Sequence, residues 1–302
     1  MATAREIRRR IRSVRNIAKV TNAMQAVSAS KVRRAQARTL ASRPYAARAW
    51  RVLIDVAAQT RHGELVHPLL AVREPVRKVG VVLVTSDRGL AGPYNLNILR
   101  TTTRFVESQG KPVEYIAIGR KGRDQLLRMG ADVRAEFSGL SDEMGITDVA
   151  PIAREVMDDF LSGRVDEVAL AYTNFINTLT QRPGVVRLLP LAPYKPEEEQ
   201  LAGTAEVPHA PETRLQYIYE PNAETILNLV LPRFVEWLLF QAVLESKASE
   251  HAARMVAMRT ASENAEELAD GLVLTYNKAR QLSITNELLD IVGGAEALAA
   301  AR

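Results

Sequence analysis

The sequence predicts the α/β class: a long antiparallel coiled coil of N- and C-terminal helices, combined with a mostly parallel α/β domain. Three observations predict it. Residues 5–58 contain one proline, Pro44, and no glycine. From residue 77 short apolar runs alternate with helical patterns. From residue 221 the pattern is helical again and stays so.

The first helix follows from periodicity. Apolar or small residues recur at Ile7, Ile11, Val14 and Ala18, then at Val20, Met24 and Val27, then at Val32 and Ala35. Spacings of three and four mark one face of a helix. Pro44, in ASRPYA, is expected to kink or interrupt it, because proline lacks the donor a helix interior needs. At ~1.5 Å per residue the stretch is ~75–80 Å long, so it must project from any small domain ~30 Å across. Residues 1–60 form this first arm.

The α/β domain covers residues 77–194. Val79–Thr85 (VGVVLVT) reads as a buried strand, and Asn95–Gln109 as a helix. Val113–Ile118 is a second strand, followed by helix Gly122–Met129. Val133–Phe137 is a third strand, and Thr147–Leu161 a helix closing at Gly163. Val168–Phe175 and Val185–Leu189 are further strands. Alternation of this kind gives a parallel, Rossmann-like sheet covered by helices. Residues 195–213 (KPEEEQLAGTAEVPHAPET) hold three prolines and an acidic run, and read as a mobile loop.

The second arm covers residues 214–302. Pro221 suits a first helical turn, and Pro232 is a place to bend. Met258, Ala261, Ala265, Leu268, Leu272, Thr275, Ala279, Leu282, Asn286 and Leu289 alternate three and four apart. That is a heptad seam, although a coiled coil ordinarily prefers larger apolar residues. With about 70 residues against about 54, the last helix overhangs the first by ~25 Å. Ile284, Leu288, Ile291 and Val292 would then lack a covering helix, and such a surface implies a partner.

Charge supports the pairing. Residues 1–60 hold fourteen Lys or Arg and two acids, whereas residues 221–302 hold eleven acids and seven Lys or Arg. A basic arm can bind nucleic acid or an anionic membrane, or it can pair with an acidic arm. No cysteine is present, which excludes disulfides and thiolate metal sites and suits a reducing compartment. His62, His67, His209 and His251 lack ligand spacing, so neither metal nor cofactor is expected. MATAREIRRRIRSVRN has no apolar core of a secretory signal. No uninterrupted apolar run approaches ~18–20 residues, so no membrane span is expected.

Several motifs, in order, resemble those of the gamma-subunit family of the rotary ATP synthase. AREIRRRIRSVRNIAKVTNAMQAVSASKVRRAQ is similar to the family's opening. TSDRGLAGPYN and GRKGRD are similar to its first two strand-to-helix turns. YIYEP, ESKASEHAARMVAMRTASENA and YNKARQLSITNELLDIVGGAEAL are similar to its end. The resemblance implies a non-catalytic rotor shaft of the central stalk, driven by a proton-turned membrane ring. Its partners would be the alternating catalytic and non-catalytic nucleotide-binding subunits, a small epsilon-type companion and the membrane rotor ring. Its place would be peripheral, on the cytoplasmic side of the cell membrane.

The resemblance also implies site residues. Arg280, Gln281 and Thr285 would catch an acidic loop of a catalytic subunit. Gln281 and Thr285, four apart, share a helix face, and an arginine–carboxylate contact is charge-assisted. Arg254 matches a coupling position, and Met24 one that faces the catalytic subunits. The plainer reading makes the arginines solvated or paired within the chain and Met24 a seam residue. Ile291, Val292, Gly293 and Gly294 would form the tip in its bearing. Small side chains there give weak dispersion contacts, and the two glycines would let the helix fray or end.

Departures from the family are local. The family commonly has Cys where Ala91 stands and Gly where Pro93 stands. The cysteine pair of its light-regulated plant members is absent, which excludes that redox control. SDRGLAGPYN has neither a GxGxxG nor a Walker lysine, and GRKGRD reads as a strand exit and helix start, not a phosphate cradle. Two other classes fit the outline. A basic helical arm could bind nucleic acid, but only Tyr45 and Trp50 in it could stack on bases. A nucleotide-dependent enzyme would need an acid–base or phosphate constellation, which the domain lacks.

Overall fold

The computed structural model describes residues 3–60, 67–191 and 223–300. The 195–213 segment, His62, His209 and the side chains of Tyr45 and Trp50 lie outside the described residues. The elements are α1 (Ala4–Thr60), a 3-10 turn (Pro68–Leu70), β1 (Val79–Val84), α2 (Tyr94–Gln109), β2 (Val113–Ile118) and α3 (Arg120–Arg128). They continue with β3 (Val133–Phe137), α4 (Ile146–Leu161), β4 (Glu167–Phe175), β5 (Gln181–Leu189) and α5 (Ala223–Ala300). The chain divides into two compact units, Met1–Val27 with Met255–Arg302, and Ser28–Arg254.

The second unit is built on a mixed sheet of order β3-β2-β1-β4-β5. Pairs β1–β2, β2–β3 and β1–β4 are parallel, and β4–β5 is antiparallel. β1 is central because VGVVLV can be buried on both faces, as parallel strands require. Strand alternation then sorts its side chains. Val79, Val81 and Leu83 meet Ile98 of α2 and Leu126 of α3. Val82 and Val84 belong to a second cluster with Ile152 and Phe160 of α4 and Leu231, Val235 and Leu239 of α5. The sheet is thus sandwiched between two helical layers.

GRKGRD starts α3, as the sequence indicated. Gly119 has φ 95°, and a Cβ there would lie 2.3 Å from the Thr85 carbonyl oxygen. A Cβ on Gly122 would lie 2.6 Å from Thr85 Oγ1, which accepts from the Gly122 amide at 2.9 Å. Both glycines are required by this close approach of α3 to the end of β1.

α1 begins with a reciprocal cap. The Thr3 amide donates to Glu6 Oε2 at 3.0 Å, and the Glu6 amide donates to Thr3 Oγ1 at 3.4 Å. The helix then runs through Pro44 without interruption. Proline's φ near −65° suits a helix, so the expected break does not occur. Most covered positions fall on two series seven apart, Ile7, Val14, Thr21, Ser28, Ala35, and Ile11, Ala18, Gln25, Val32, with Met24, Ala29 and Lys31 half-buried beside them. Val20 and Val27, expected on this face, are exposed at 58% and 57%.

α5 shows a matching correction. Its covered series are Met258, Ala265, Leu272 and Ser262, Ala269, Tyr276. Leu268 is 55% exposed and Thr275 is exposed, whereas Ala269 is buried. A 3.6-residue repeat admits either three or four as the next step. Here the four-residue step wins because Ser262 and Ala269 are small enough for close approach. Ser262 Oγ donates to the Ala18 carbonyl at 3.2 Å. Leu282, Asn286 and Leu289 are also exposed, so the seam ends earlier than the periodicity indicated. α5 does not stop at Gly293 and Gly294 but continues to Ala300. Good helix formers, Leu288 and Leu289 before the pair and Ala295, Ala297 and Leu298 after it, sustain the helix across them.

In the second unit Val32 of α1 packs with Ala248 and Ala252 of α5 and with Phe175 of β4. Within Thr225–Gly293 one 18-residue window reaches mean hydropathy 1.4, apolar enough by length and composition to cross a membrane. Buried core helices pass the same test, and 44% of that window is buried in the protein.

Candidate functional site

Arg254 is 8% exposed, on α5 in the second unit. Its Nη2 donates to Glu250 Oε1 at 2.7 Å and to the Gly89 carbonyl at 3.1 Å. Its Nη1 faces His251 Nδ1 at 3.4 Å. The guanidinium therefore supports the turn after β1 from beneath. That turn ends in Leu90, which is 61% exposed and has φ 64°. A non-glycine residue in this region is strained and persists only where its surroundings hold it.

The same turn is tied elsewhere. Asp87 accepts from the Arg120 amide at 3.1 Å and from the Gly139 amide at 2.8 Å. The first amide of α3 is thus occupied by an internal carboxylate, which argues against a phosphate cradle there. Asn95 Oδ1 accepts from the Ser86 amide at 3.0 Å. The result is a rigid platform presenting Leu90.

Asp142, in the loop between β3 and α4, gathers three cationic or donor groups. Lys31 Nζ lies at 2.8 Å, His251 Nε2 at 3.0 Å and Lys247 Nζ at 3.5 Å. The His251 hydrogen bond is the largest cause holding its carboxyl well below the usual range, and Lys31 and Lys247 add to it. Sequence reasoning missed this cluster, since Lys31, Asp142 and the Lys247–His251 pair lie far apart along the chain. The available local signal was the i, i+4 spacing of Lys247 and His251 on α5.

In the first unit the far part of α5 is open. Every residue from Arg280 to Gly293 is exposed, including six large apolar ones: Leu282, Ile284, Leu288, Leu289, Ile291 and Val292. Arg280 has no ion pair among the described residues. Thr285 Oγ1 donates to the Gln281 carbonyl at 2.9 Å, which fixes the hydroxyl beside the Gln281 side chain. The structure therefore brings Arg280, Gln281 and Thr285 onto one bare stretch of helix. Ile291 and Val292 are 68% and 54% exposed, and nothing lies within 4 Å of a Cβ built on Gly293. The Gly294 backbone is helical. Met24 of α1 is half-buried. Among the described residues no group of three metal-ligating side chains occurs.

A bare helical end beside a mixed α/β domain can be compared with known proteins. A family model described as ATP synthase matches residues 3–298. The ATP synthase gamma chain of Dehalococcoides mccartyi (strain ATCC BAA-2266 / KCTC 15142 / 195) is 51% identical, over 99% of this chain and 100% of that one. The chain belongs to the ATP synthase gamma chain family. The gamma chain of Roseiflexus castenholzii is 48% identical, over 99% of each. The central stalk of Tetrahymena thermophila mitochondrial ATP synthase matches 80% of this chain and 99% of that one, with TM-score 0.61 and 24% identity. A rotor chain of Euglena gracilis mitochondrial ATP synthase matches 93% and 98%, with TM-score 0.64 and 18% identity. At such identities the likeness is of fold alone.

As a gamma chain the protein is a non-catalytic rotor subunit of the central stalk, coupling rotation to the catalytic head. It is a peripheral subunit of a membrane-bound complex. None of these relatives supports a nucleic-acid-binding arm.

Proposed function

We propose that this rotor engages the catalytic head through the bare stretch of α5. Arg280, Gln281 and Thr285 catch an acidic loop of a catalytic subunit, and Met24 adds an apolar contact from α1. Ile291, Val292, Gly293 and Gly294 turn in an apolar bearing formed by the ring of alternating catalytic and non-catalytic subunits. The supporting observation is the uninterrupted exposure of residues 280–293, with six large apolar side chains and an unpaired arginine. Apolar exposure on that scale favours a partner. An asymmetric shaft then acts by differential contact with the three catalytic conformations.

The arms read as an antiparallel coiled coil. Ala18 meets Ser262, and Val32 meets Ala248 and Ala252, so later residues of α1 pair with earlier ones of α5. The organisation 1–60, 77–194, 195–213 and 214–302 follows, with a Rossmann-like sheet order in the domain. Arg254 serves coupling by holding the Arg88–Leu90 turn, not by direct contact. A small epsilon-type companion and the proton-driven membrane ring are the remaining partners, on the cytoplasmic side of the cell membrane.

Reconstitution with the purified ring-forming subunits tests this. The wild-type chain should assemble stoichiometrically and sustain ATP hydrolysis, and Arg280→Ala with Gln281→Ala should weaken it. An indistinguishable double variant removes the catch assignment. Failure of the wild type to join the ring removes the shaft reading.

A further inference from the structure

The outer face of α2 and α3 forms a groove of about 600 Å³, lying wholly within the second unit. The two helices line it with the same spacing. α2 contributes Leu96, Leu99, Arg100, Thr103 and Arg104. α3 and its cap contribute Lys121, Asp124, Gln125, Arg128 and Met129. Each set falls at i, i+3, i+4, i+7 and i+8, which is one face of a helix.

The charge is one-sided. Arg100, Arg104, Lys121 and Arg128 are exposed and make no ion pair among the described residues. Asp124, the one acid in the groove, is held by Arg123 at 2.8 Å. It also lies in the field of Lys121 and Arg128, so a single acid already shared with Arg123 stands against four cations and the groove stays cationic. Between the cations lies an apolar floor: Leu96 is 48% exposed, Met129 is 55% exposed and Leu99 is half-buried. A free phosphate would leave that floor bare. A flat lipid surface would not enter a concave groove. An amphipathic helix satisfies both features, placing apolar side chains on the floor and carboxylates against the rims. Arg100 and Arg104, one turn apart, match acids spaced i, i+4.

We propose that the α2–α3 groove docks an acidic amphipathic helix of another protein. The occupant carries at least two carboxylates three or four residues apart beside an apolar stripe. This surface is separate from the shaft contacts, so ATP hydrolysis by the assembled complex reports on those independently.

The test is photocrosslinking in the assembled ATP synthase with a photoreactive residue replacing Thr103, which lies mid-groove. The expected capture is one protein chain, at a stretch carrying such paired carboxylates. Arg100→Glu with Arg104→Glu should cut the yield at least tenfold while the chain still assembles. Should that variant not fold, Arg128→Gln, at the exposed end of α3, should cut it several-fold. Capture of lipid, of nucleic acid or of a protein stretch without acids overturns the proposal. So does an absence of capture, or a yield indifferent to the charge variants.

Discussion

Asp142 Oδ1 and His251 Nε2 lie 3.0 Å apart, and Arg254 fixes which ring nitrogen of His251 faces the carboxylate with its proton. Arg254 Nη1 faces His251 Nδ1 at 3.4 Å. A guanidinium only donates, so Nδ1 accepts and Nε2–H donates to the carboxylate. Lys31 of α1 and Lys247 of α5 complete the shell. One loop carboxylate thereby joins both long helices to the end of β3 within the second unit.

That carboxylate makes stability depend on acid. Its folded pKa is depressed by the His251 hydrogen bond first, then by Lys31 and Lys247. A depressed carboxyl stabilises the fold above its unfolded pKa near ~4, and the contribution is lost as pH falls below that value. Asp142→Asn is expected to cost about 1–2 kcal/mol at neutral pH, discounted because the group is partly exposed. It should also flatten the acid limb of stability. Denaturant titrations at a series of pH values check both, and an unchanged slope below pH ~4 contradicts the assignment.

Arg254→Ala should be more damaging. It strips the partner from Glu250, whose side chain is 13% exposed, and leaves the Gly89 carbonyl unsupported. Breaking such a buried pair costs about 3–5 kcal/mol. Arg254→Lys keeps the charge but cannot fork to two acceptors, so only partial recovery is expected. Equilibrium unfolding of the three chains gives the order. A harmless alanine variant would place the arginine outside the folding network.

Most of the architecture was legible because it rests on local pattern. Continuous apolar runs gave β1 and β2, and glycine spacing gave the turn into α3. What was not legible depends on a partner surface. Val20 and Val27 fit a helical face by number, yet Thr21 and Ser28 are the covered residues. Phase decided this: Thr21 and Ser28 continue the seven-residue series of Ile7 and Val14, whereas Val20 and Val27 lie one residue to the side. Pro44 and the Gly293–Gly294 pair break helices in isolation, but strong helix formers around them prevail. The exposed stretch from Arg280 to Gly293 was foreseeable in part from unequal helix lengths. The Asp142 cluster was not, because Lys247 and His251 share a helix face four apart but nothing local links them to Lys31 or Asp142.

The corrected seam makes a paired prediction. Ala269 is 2% exposed, and Leu268 beside it is 55% exposed. Ala269→Leu forces extra volume between the helices and should cost about 1–3 kcal/mol. Leu268→Ala should remain within about 0.5 kcal/mol of the parent. Thermal denaturation of both variants distinguishes the two phases of the heptad. The reverse order would restore the 261–268–275 seam.

Gly293 offers the opposite kind of test, a stabilising one. It lies inside α5, and a Cβ there would meet nothing within 4 Å. Glycine in a helix interior costs roughly 0.5–1 kcal/mol relative to alanine. With no steric penalty to offset it, Gly293→Ala should gain about that amount locally. Because the surrounding stretch is bare, the gain should appear as slower amide exchange from Leu289 to Ala295 without a shift in global unfolding. Far-ultraviolet circular dichroism should show slightly more helix. Unchanged exchange would mean that the free chain does not hold this turn helical, and that residues 291–294 order only against a partner.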